Sequence, residues 1–163
     1  MINFIKTIVK SNRILIILAE KISTYLKINF EEEYKIASFL KRPVIIDVGA
    51  HLGESINGFL KYSKHSKIYS FEPNEKLYKK ICHSYNQNKQ ITIYNLAISN
   101  KKINHLYCPR LFGINLSLWS TFSKSYLQQR WTDFTGINFK KLNLAKFKIK
   151  SSRYISIKQF KRR

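Results

Sequence analysis

One short apolar segment constrains the fold of this chain more than any other feature of the sequence. Directly after Pro43, the run Val44–Val48 is almost wholly apolar and rich in β-branched residues, and the glycine-bounded segment Gly49–Gly53 follows it. β-branched side chains favour strands, and a nearly continuous apolar run is typical of a strand that is covered on both faces. We therefore expect Val44–Val48 to be a central strand of a parallel sheet.

The same alternation continues along the chain. A helix is predicted from Glu54 to Lys64, a second strand over Lys67–Glu72, a second helix from Glu75 to Asn86, and a third strand over Ile91–Tyr94. Strand, helix, strand, helix, strand at this spacing is the βαβαβ pattern of a doubly wound α/β domain. A chain of 163 residues has room for one such domain at most.

The rest of the chain gives weaker signals. Further strands are predicted over His105–Cys108 and Tyr154–Ile157, while residues 109–150 mix aromatic side chains with Ser, Asn and Lys and show no clean period. Residues 1–40 have apolar residues at roughly helical spacing, with a second short helix over Glu31–Leu40. We expect an N-terminal helical segment (1–40) that docks on the domain (41–163). A basic amphipathic helix in peripheral contact with a membrane is the alternative.

The segment after the first strand carries the chemistry. Its pattern is Asp47-x-Gly49-x-x-x-Gly53, which fits neither the GxGxxG dinucleotide fingerprint nor the P-loop. Gly49 permits a tight turn and close backbone approach, and Gly53 lets the following helix pack near the strand. S-adenosylmethionine has no phosphate but has an ammonium group, which the Asp47 carboxylate is suited to hold by a charge-assisted hydrogen bond.

The second strand ends in Glu72, followed by Pro73-Asn74. In nucleotide-binding α/β domains an acidic residue in this region binds the ribose hydroxyls. A carboxylate can accept hydrogen bonds from both hydroxyls at once. Glu72 is therefore the predicted ribose-binding residue.

These motifs resemble those of the FkbM family of S-adenosylmethionine-dependent methyltransferases. Ile46–Glu54 resembles the first motif of that family, Phe71–Asn74 the second, and Asn95–Ser99 the segment near the adenine, so the resemblance covers about residues 40–110. It implies a Rossmann-like class I methyltransferase sandwich with a mostly parallel sheet. It also implies O-methylation of a hydroxyl on a sugar, glycan or other small molecule. The implied cofactor-binding residues are Asp47, Gly49, Ala50, His51, Gly53, Glu54, Glu72, Asn95 and Ala97.

The chain also departs from the family pattern. His51 stands where the family typically has Asn, and Lys158 and Gln159 stand where it has two acidic residues. The family's next motif, a strand ending in Asp-Val-Glu-Gly, has no counterpart before Arg163. We therefore expect a fold that is incomplete at its C-terminus, as in a truncated or frameshifted product, with an open parallel sheet edge. His51 as a proton acceptor is less favoured than His51 as a turn-shaping residue, so no catalytic residue is assigned.

Charge and cysteine content limit the other functions. The formal charge of +21 would attract polyanions, but Lys greatly outnumbers Arg, so we favour a solvated lysine surface over nucleic-acid binding. An RNA methyltransferase and a non-catalytic remnant that binds only cofactor or polyanions remain the alternatives. Cys82 and Cys108 are predicted to be reduced thiols in a cytoplasmic protein. The histidines and cysteines lack ligand spacing, so no metal is expected.

Overall fold

The computed structural model describes residues 31–111, 114–135 and 143–152. The helices of this part are α1 (Glu31–Lys35), α2 (Glu54–Tyr62), α3 (Glu75–Ser84) and α4 (Lys124–Thr135), with 3-10 turns at Ile36–Phe39 and Ser117–Trp119. The strands are β1 (Val44–Val48), β2 (Lys67–Phe71), β3 (Ile91–Tyr94), β4 (Ala97–Ile98), β5 (His105–Leu111), β6 (Ile114–Asn115), β7 (Asn143–Lys148) and β8 (Ser151–Ser152). The chain is thus mixed α/β, as predicted.

The described residues divide into two compact units, a larger one (residues 31–104 and 148–152) and a smaller one (residues 105–111, 114–135 and 143–147). In the larger unit, β1, β2 and β3 form a parallel sheet in that order, with Ile45 opposite Ile68 and Ile68 opposite Ile91. A separate parallel pair joins β4 to β8. Most of the strand pairs are therefore parallel, in agreement with the expected fold class.

The core of the larger unit lies between one face of this sheet and the helices α2 and α3. Ile68 of β2, Ile56 of α2 and Ile81 of α3 are buried there, with the partly buried Ile45 and Ile93 packed against them. Full burial of an isoleucine side chain is worth about 1.5–3 kcal/mol each. This cluster holds the two helices that follow the predicted motifs against the sheet.

The smaller unit has its own core. Strands β5 and β6 are antiparallel, and β7 completes a sheet of order β6-β5-β7. Leu127 and Trp131, one turn apart on α4, bury their side chains with Leu116. The rings of Trp119 and Trp131 meet edge to face, with centroids 5.8 Å apart. Trp131 and the partly buried Trp119 of the aromatic-rich segment thus belong to this core, whereas Phe122 and Tyr126 of the same segment are exposed.

The predicted central position of β1 is wrong for the described part of the chain. There β1 pairs with β2 alone and forms the edge of its sheet. Val44, Ile46 and Val48, on the face opposite the core, are 62%, 48% and 59% exposed. A nearly continuous apolar run usually marks a central strand, with a neighbouring strand on each side. Whether a strand pairs with β1 on the side opposite β2 depends on distant parts of the chain, so the run itself does not specify it.

Other boundaries differ by a few residues. The predicted helix at Glu31–Leu40 is α1 followed by a 3-10 turn, α2 and α3 end two residues early, and β5 extends to Leu111. Helix α4 and the strands β6 and β7 lie in the segment for which no element was predicted. The predicted helix within residues 1–30, the strand at Tyr154–Ile157 and the basic C-terminus lie outside the described residues.

Candidate functional site

The turn after β1 has the backbone geometry that its glycines predict. Gly49 and Gly53 have φ angles of +89° and +92°, and His51 between them has φ +50°. The N–H groups of Gly49 and Ala50 both donate to the carbonyl oxygen of Phe71, over 2.8 and 3.2 Å, and the N–H of Gly53 donates to Ala50 over 2.7 Å. Glycine adopts positive φ at no steric cost, and the hydrogen bonds to Phe71 hold the turn close to the end of β2.

Glu72 ties the two motifs together. Its carboxylate accepts hydrogen bonds from the backbone N–H of His51 over 2.9 Å and from that of Asn74 over 2.7 Å. Only 5% of the residue is exposed, and burial raises the pKa of its carboxyl group, against the lowering effect of the two N–H donors. Each carboxylate oxygen retains a second lone pair that can accept a hydroxyl.

Glu54 and His51 form a second link within the turn. The Nδ1 atom of His51 lies 3.0 Å from Oε1 of Glu54, and the backbone N–H of Leu52 donates to Oε2 over 3.0 Å. Burial raises the pKa of Glu54, but the hydrogen bonds from His51 and from backbone N–H groups outweigh it, so this pKa lies below its ordinary value. The Glu54 side chain therefore stays ionised and fixes the start of α2 to the turn.

Asp47, near the end of β1, has a buried carboxylate with a hydrogen bond to only one of its two oxygens. Its Oδ1 atom accepts a hydrogen bond from the Ser55 hydroxyl over 2.9 Å, while the buried Oδ2 atom has no hydrogen-bond partner. The Ser70 hydroxyl, opposite Asp47 on β2, lowers the pKa of Asp47 as a nearby hydrogen-bond donor, although the two side chains do not meet full hydrogen-bonding geometry. Burial raises the pKa of Asp47 more strongly. A buried carboxylate oxygen without a donor suits a cationic ligand group.

The three carboxylates act on one another. The charge of Glu54 raises the pKa of Asp47, and the charge of Asp47 raises that of Glu72. Three of the nine acidic residues of a chain with a formal charge of +21 thus meet at one turn. In the part of the chain that the structure describes, no group of three His, Cys, Asp or Glu residues is arranged to hold a metal ion. The local field favours an organic cation over an anion.

Asn95 and Ala97 occupy different positions relative to this cluster. The Asn95 amide donates to the carbonyl oxygens of Glu72 and Pro73, over 2.9 and 3.2 Å, and so holds the end of β2 in place. Ala97 is buried in β4, and its N–H donates to the carbonyl of Lys150 over 2.9 Å. The structure therefore joins the turn, Glu72 and Asn95 through hydrogen bonds, places Asp47 near enough for its charge to act on Glu72, and uses Ala97 for strand pairing.

Three residues of this region were not singled out by the sequence. Ser55 and Ser70 act on Asp47, and the Tyr85 hydroxyl lies 3.1 Å from the carbonyl oxygen of Gly53. Ser70 had a detectable signal, because it is the only polar residue that alternates onto the core face of β2. Tyr85 had none, since its contact with Gly53 spans 32 residues.

Two further features bear on function. A surface groove of about 610 Å³ is lined by Leu60 and residues 84–90, and none of the predicted cofactor-binding residues lines it. Among the described helices, none combines the length and apolarity required to cross a membrane.

No protein-family model matches the chain, and no curated protein sequence matches it significantly.

Proposed function

We propose that this chain is the cofactor-binding part of an S-adenosylmethionine-dependent methyltransferase with a Rossmann-like class I fold. The observation that carries the proposal is the joining of the glycine turn after β1 to the acidic end of β2 by the hydrogen bond from His51 to Glu72. Open α/β sheets bind ligands at the carboxyl ends of parallel strands, which is where this link lies. The resemblance of the same residues to the FkbM motifs also supports the proposal.

The charges of the site favour this cofactor over a dinucleotide. S-adenosylmethionine carries an ammonium and a sulfonium group, whereas NAD brings a negatively charged pyrophosphate. Asp47, Glu54 and Glu72 would repel a pyrophosphate and attract the two cations. The buried Oδ2 atom of Asp47 gains a partner when an ammonium group binds there.

Each residue has a defined part in this proposal. Asp47 binds the ammonium group, and Glu72 accepts hydrogen bonds from the ribose hydroxyls while its own bonds to backbone N–H groups keep it in place. His51 shapes the turn, because its backbone N–H and its ring are bonded to Glu72 and Glu54 respectively. The bound cofactor supplies an electrophilic methyl group. The protein then aligns an acceptor oxygen with that group, and no described residue is assigned as the base.

The proposed acceptor is a hydroxyl of a sugar, glycan or other small molecule, which follows from the family resemblance. The proposal includes a cytoplasmic location, which is supported by the two cysteines Cys82 and Cys108, since neither is in a disulfide.

Calorimetric titration tests the cofactor assignment. We expect S-adenosylhomocysteine, which has the same ammonium and ribose groups, to give binding heat with the full chain, and NAD to give none. Binding of NAD, or the lack of any heat with S-adenosylhomocysteine, would contradict the proposal. Transfer from labelled S-adenosylmethionine to a panel of sugars and lipid-linked glycans then tests the acceptor class.

A further inference from the structure

Tyr85 reaches from the end of one motif helix to the turn of the other motif. It is the C-terminal cap residue of α3, where its backbone N–H donates to Ile81. Its hydroxyl oxygen lies 3.1 Å from the carbonyl oxygen of Gly53 and 2.7 Å from Oδ1 of Asn57. A phenol has one proton, so at any moment it donates either to Asn57, the shorter contact, or to Gly53, whose carbonyl oxygen also accepts the backbone N–H of Asn57 over 3.0 Å.

The ring of Tyr85 also lies directly against Gly53. A Cβ atom added at Gly53 would be 2.8 Å from a ring carbon and 2.8 Å from the hydroxyl oxygen of Tyr85. Gly53 is the last residue of the turn, with φ +92°, and its N–H is bonded to Ala50. The tyrosine therefore contacts the turn at the point where it passes into α2.

Hydrophobic packing alone does not account for a tyrosine here. The ring packs against the core cluster that contains Ile56 and Ile81, and a phenylalanine ring would do the same. The hydroxyl is the part that reaches the turn. Burial, and then the charges of Glu54 and Asp47, raise the pKa of Tyr85, so the phenol stays a proton donor at neutral pH.

We propose that Tyr85 is a positioning residue for the cofactor, with its hydroxyl shared between Gly53 and Asn57 where the turn passes into α2, so that it holds the turn with His51 and the adjoining Glu54. This inference rests on the proposed function. The hydroxyl does not touch the cofactor. It fixes the backbone from which Glu54 projects and the N–H of His51 reaches Glu72. Loss of the hydroxyl leaves the fold intact but lowers the fraction of molecules in which the turn has the conformation that binds the cofactor.

The test compares three variants of the full chain with the wild type by calorimetric titration with S-adenosylhomocysteine. In Tyr85→Phe we expect affinity to fall roughly five-fold, the scale of one neutral hydrogen bond. In Asn57→Ala the hydroxyl keeps its Gly53 acceptor, so affinity stays within about two-fold of wild type. Tyr78→Phe is the matched control. It also removes a phenol hydroxyl from α3, but that hydroxyl interacts with the Cys82 thiol.

Two further measurements separate positioning from stability. Amide hydrogen exchange of residues 50–54 should be faster in free Tyr85→Phe than in the wild type, while the affinity loss persists at temperatures where circular dichroism shows both chains folded. Wild-type affinity in Tyr85→Phe, or a Tyr85→Phe chain that does not fold, overturns the inference and leaves the cofactor assignment standing. A wild-type chain that does not bind S-adenosylhomocysteine overturns both.

Discussion

The backbone N–H of His51 donates a hydrogen bond to the carboxylate of Glu72 over 2.9 Å. This bond joins the turn after β1 to the end of β2, 21 residues away in the sequence. Since the second carboxylate oxygen is bonded to the N–H of Asn74, Glu72 is held at both oxygens before any ligand binds. Such preorganisation lowers the entropy cost of binding.

Replacement of Glu72 tests this arrangement directly. We expect Glu72→Ala to weaken S-adenosylhomocysteine binding by about 1.5–3 kcal/mol, the scale of hydrogen bonds to a charged group. Glu75→Ala is the matched control, because Glu75 lies three residues further on, is exposed and pairs with Lys79 at the surface of α3. Calorimetry should show near wild-type affinity in the control. Equal losses in both variants would indicate a general charge effect instead of a specific contact.

The two turn glycines should differ in their tolerance of alanine. Both have positive φ, but a Cβ atom at Gly49 meets nothing within 4 Å, whereas one at Gly53 meets the Tyr85 ring at 2.8 Å. We expect Gly49→Ala to lower the free energy of unfolding by about 1 kcal/mol, and Gly53→Ala by about 2–4 kcal/mol. Urea denaturation followed by circular dichroism measures both. Equal costs would contradict the close packing of Tyr85 on Gly53.

Cofactor affinity should rise with pH in the weakly acidic range. Burial raises the pKa of both Asp47 and Glu72, so over the interval above the ordinary carboxyl pKa of about 4 the free site holds protons that a cationic ligand must displace. Binding then releases protons, and affinity increases with pH until both groups are ionised. Titration in buffers of different ionisation enthalpy measures that release.

Asp47→Asn is the control for this pH dependence. The asparagine side chain would keep an oxygen for the Ser55 hydroxyl but remove the titrating group. We expect weaker binding and a smaller proton release. The folded wild type also holds more protons at these two groups than the unfolded chain over the same interval, so their contribution to the free energy of unfolding falls as pH rises. An affinity independent of pH would contradict the assigned role of Asp47.

Much of the larger unit could be predicted from the sequence because its signals are local. The bounds of β1 and β3 match the runs Val44–Val48 and Ile91–Tyr94, each of which is short and rich in β-branched residues. Asn74 directly follows Pro73 and caps α3 by accepting a hydrogen bond from the backbone N–H of Lys76. The start of that helix is therefore also determined by the local sequence.

The remaining features depend on contacts between distant residues. The β4–β8 pair joins Ala97 to Ser151 through two-residue strands, too short to leave a period. Helix α4 buries Leu127 and Trp131 but exposes Tyr126, so its apolar residues do not mark one clean face in the sequence. The lack of a hydrogen-bond partner at Oδ2 of Asp47 likewise depends on which side chains surround that atom, and the motif does not specify them.

The basic charge of the chain should give only weak association with RNA. If the charge of +21 is a solvated lysine surface, binding depends on counterion release and falls steeply with salt. We expect fluorescence anisotropy with several unrelated RNA sequences to show similar weak affinities that disappear at moderate salt. A sequence-selective complex that survives high salt would favour the RNA methyltransferase alternative.

The exposed face of β1 should promote self-association. Within the described strands β1 has a free edge, and its exposed Val44, Ile46 and Val48 present an apolar surface beside that edge. An unpaired, apolar edge strand can add a strand from another chain, and an inserted charge on its face opposes this. We therefore expect Ile46→Lys to reduce the concentration-dependent association that sedimentation velocity detects in the wild type. Tyr126→Lys, at an exposed residue of α4, serves as the matched control and should associate as the wild type does. A wild-type chain that stays monomeric at all concentrations, or equal effects of the two lysines, would contradict the assignment of association to this edge.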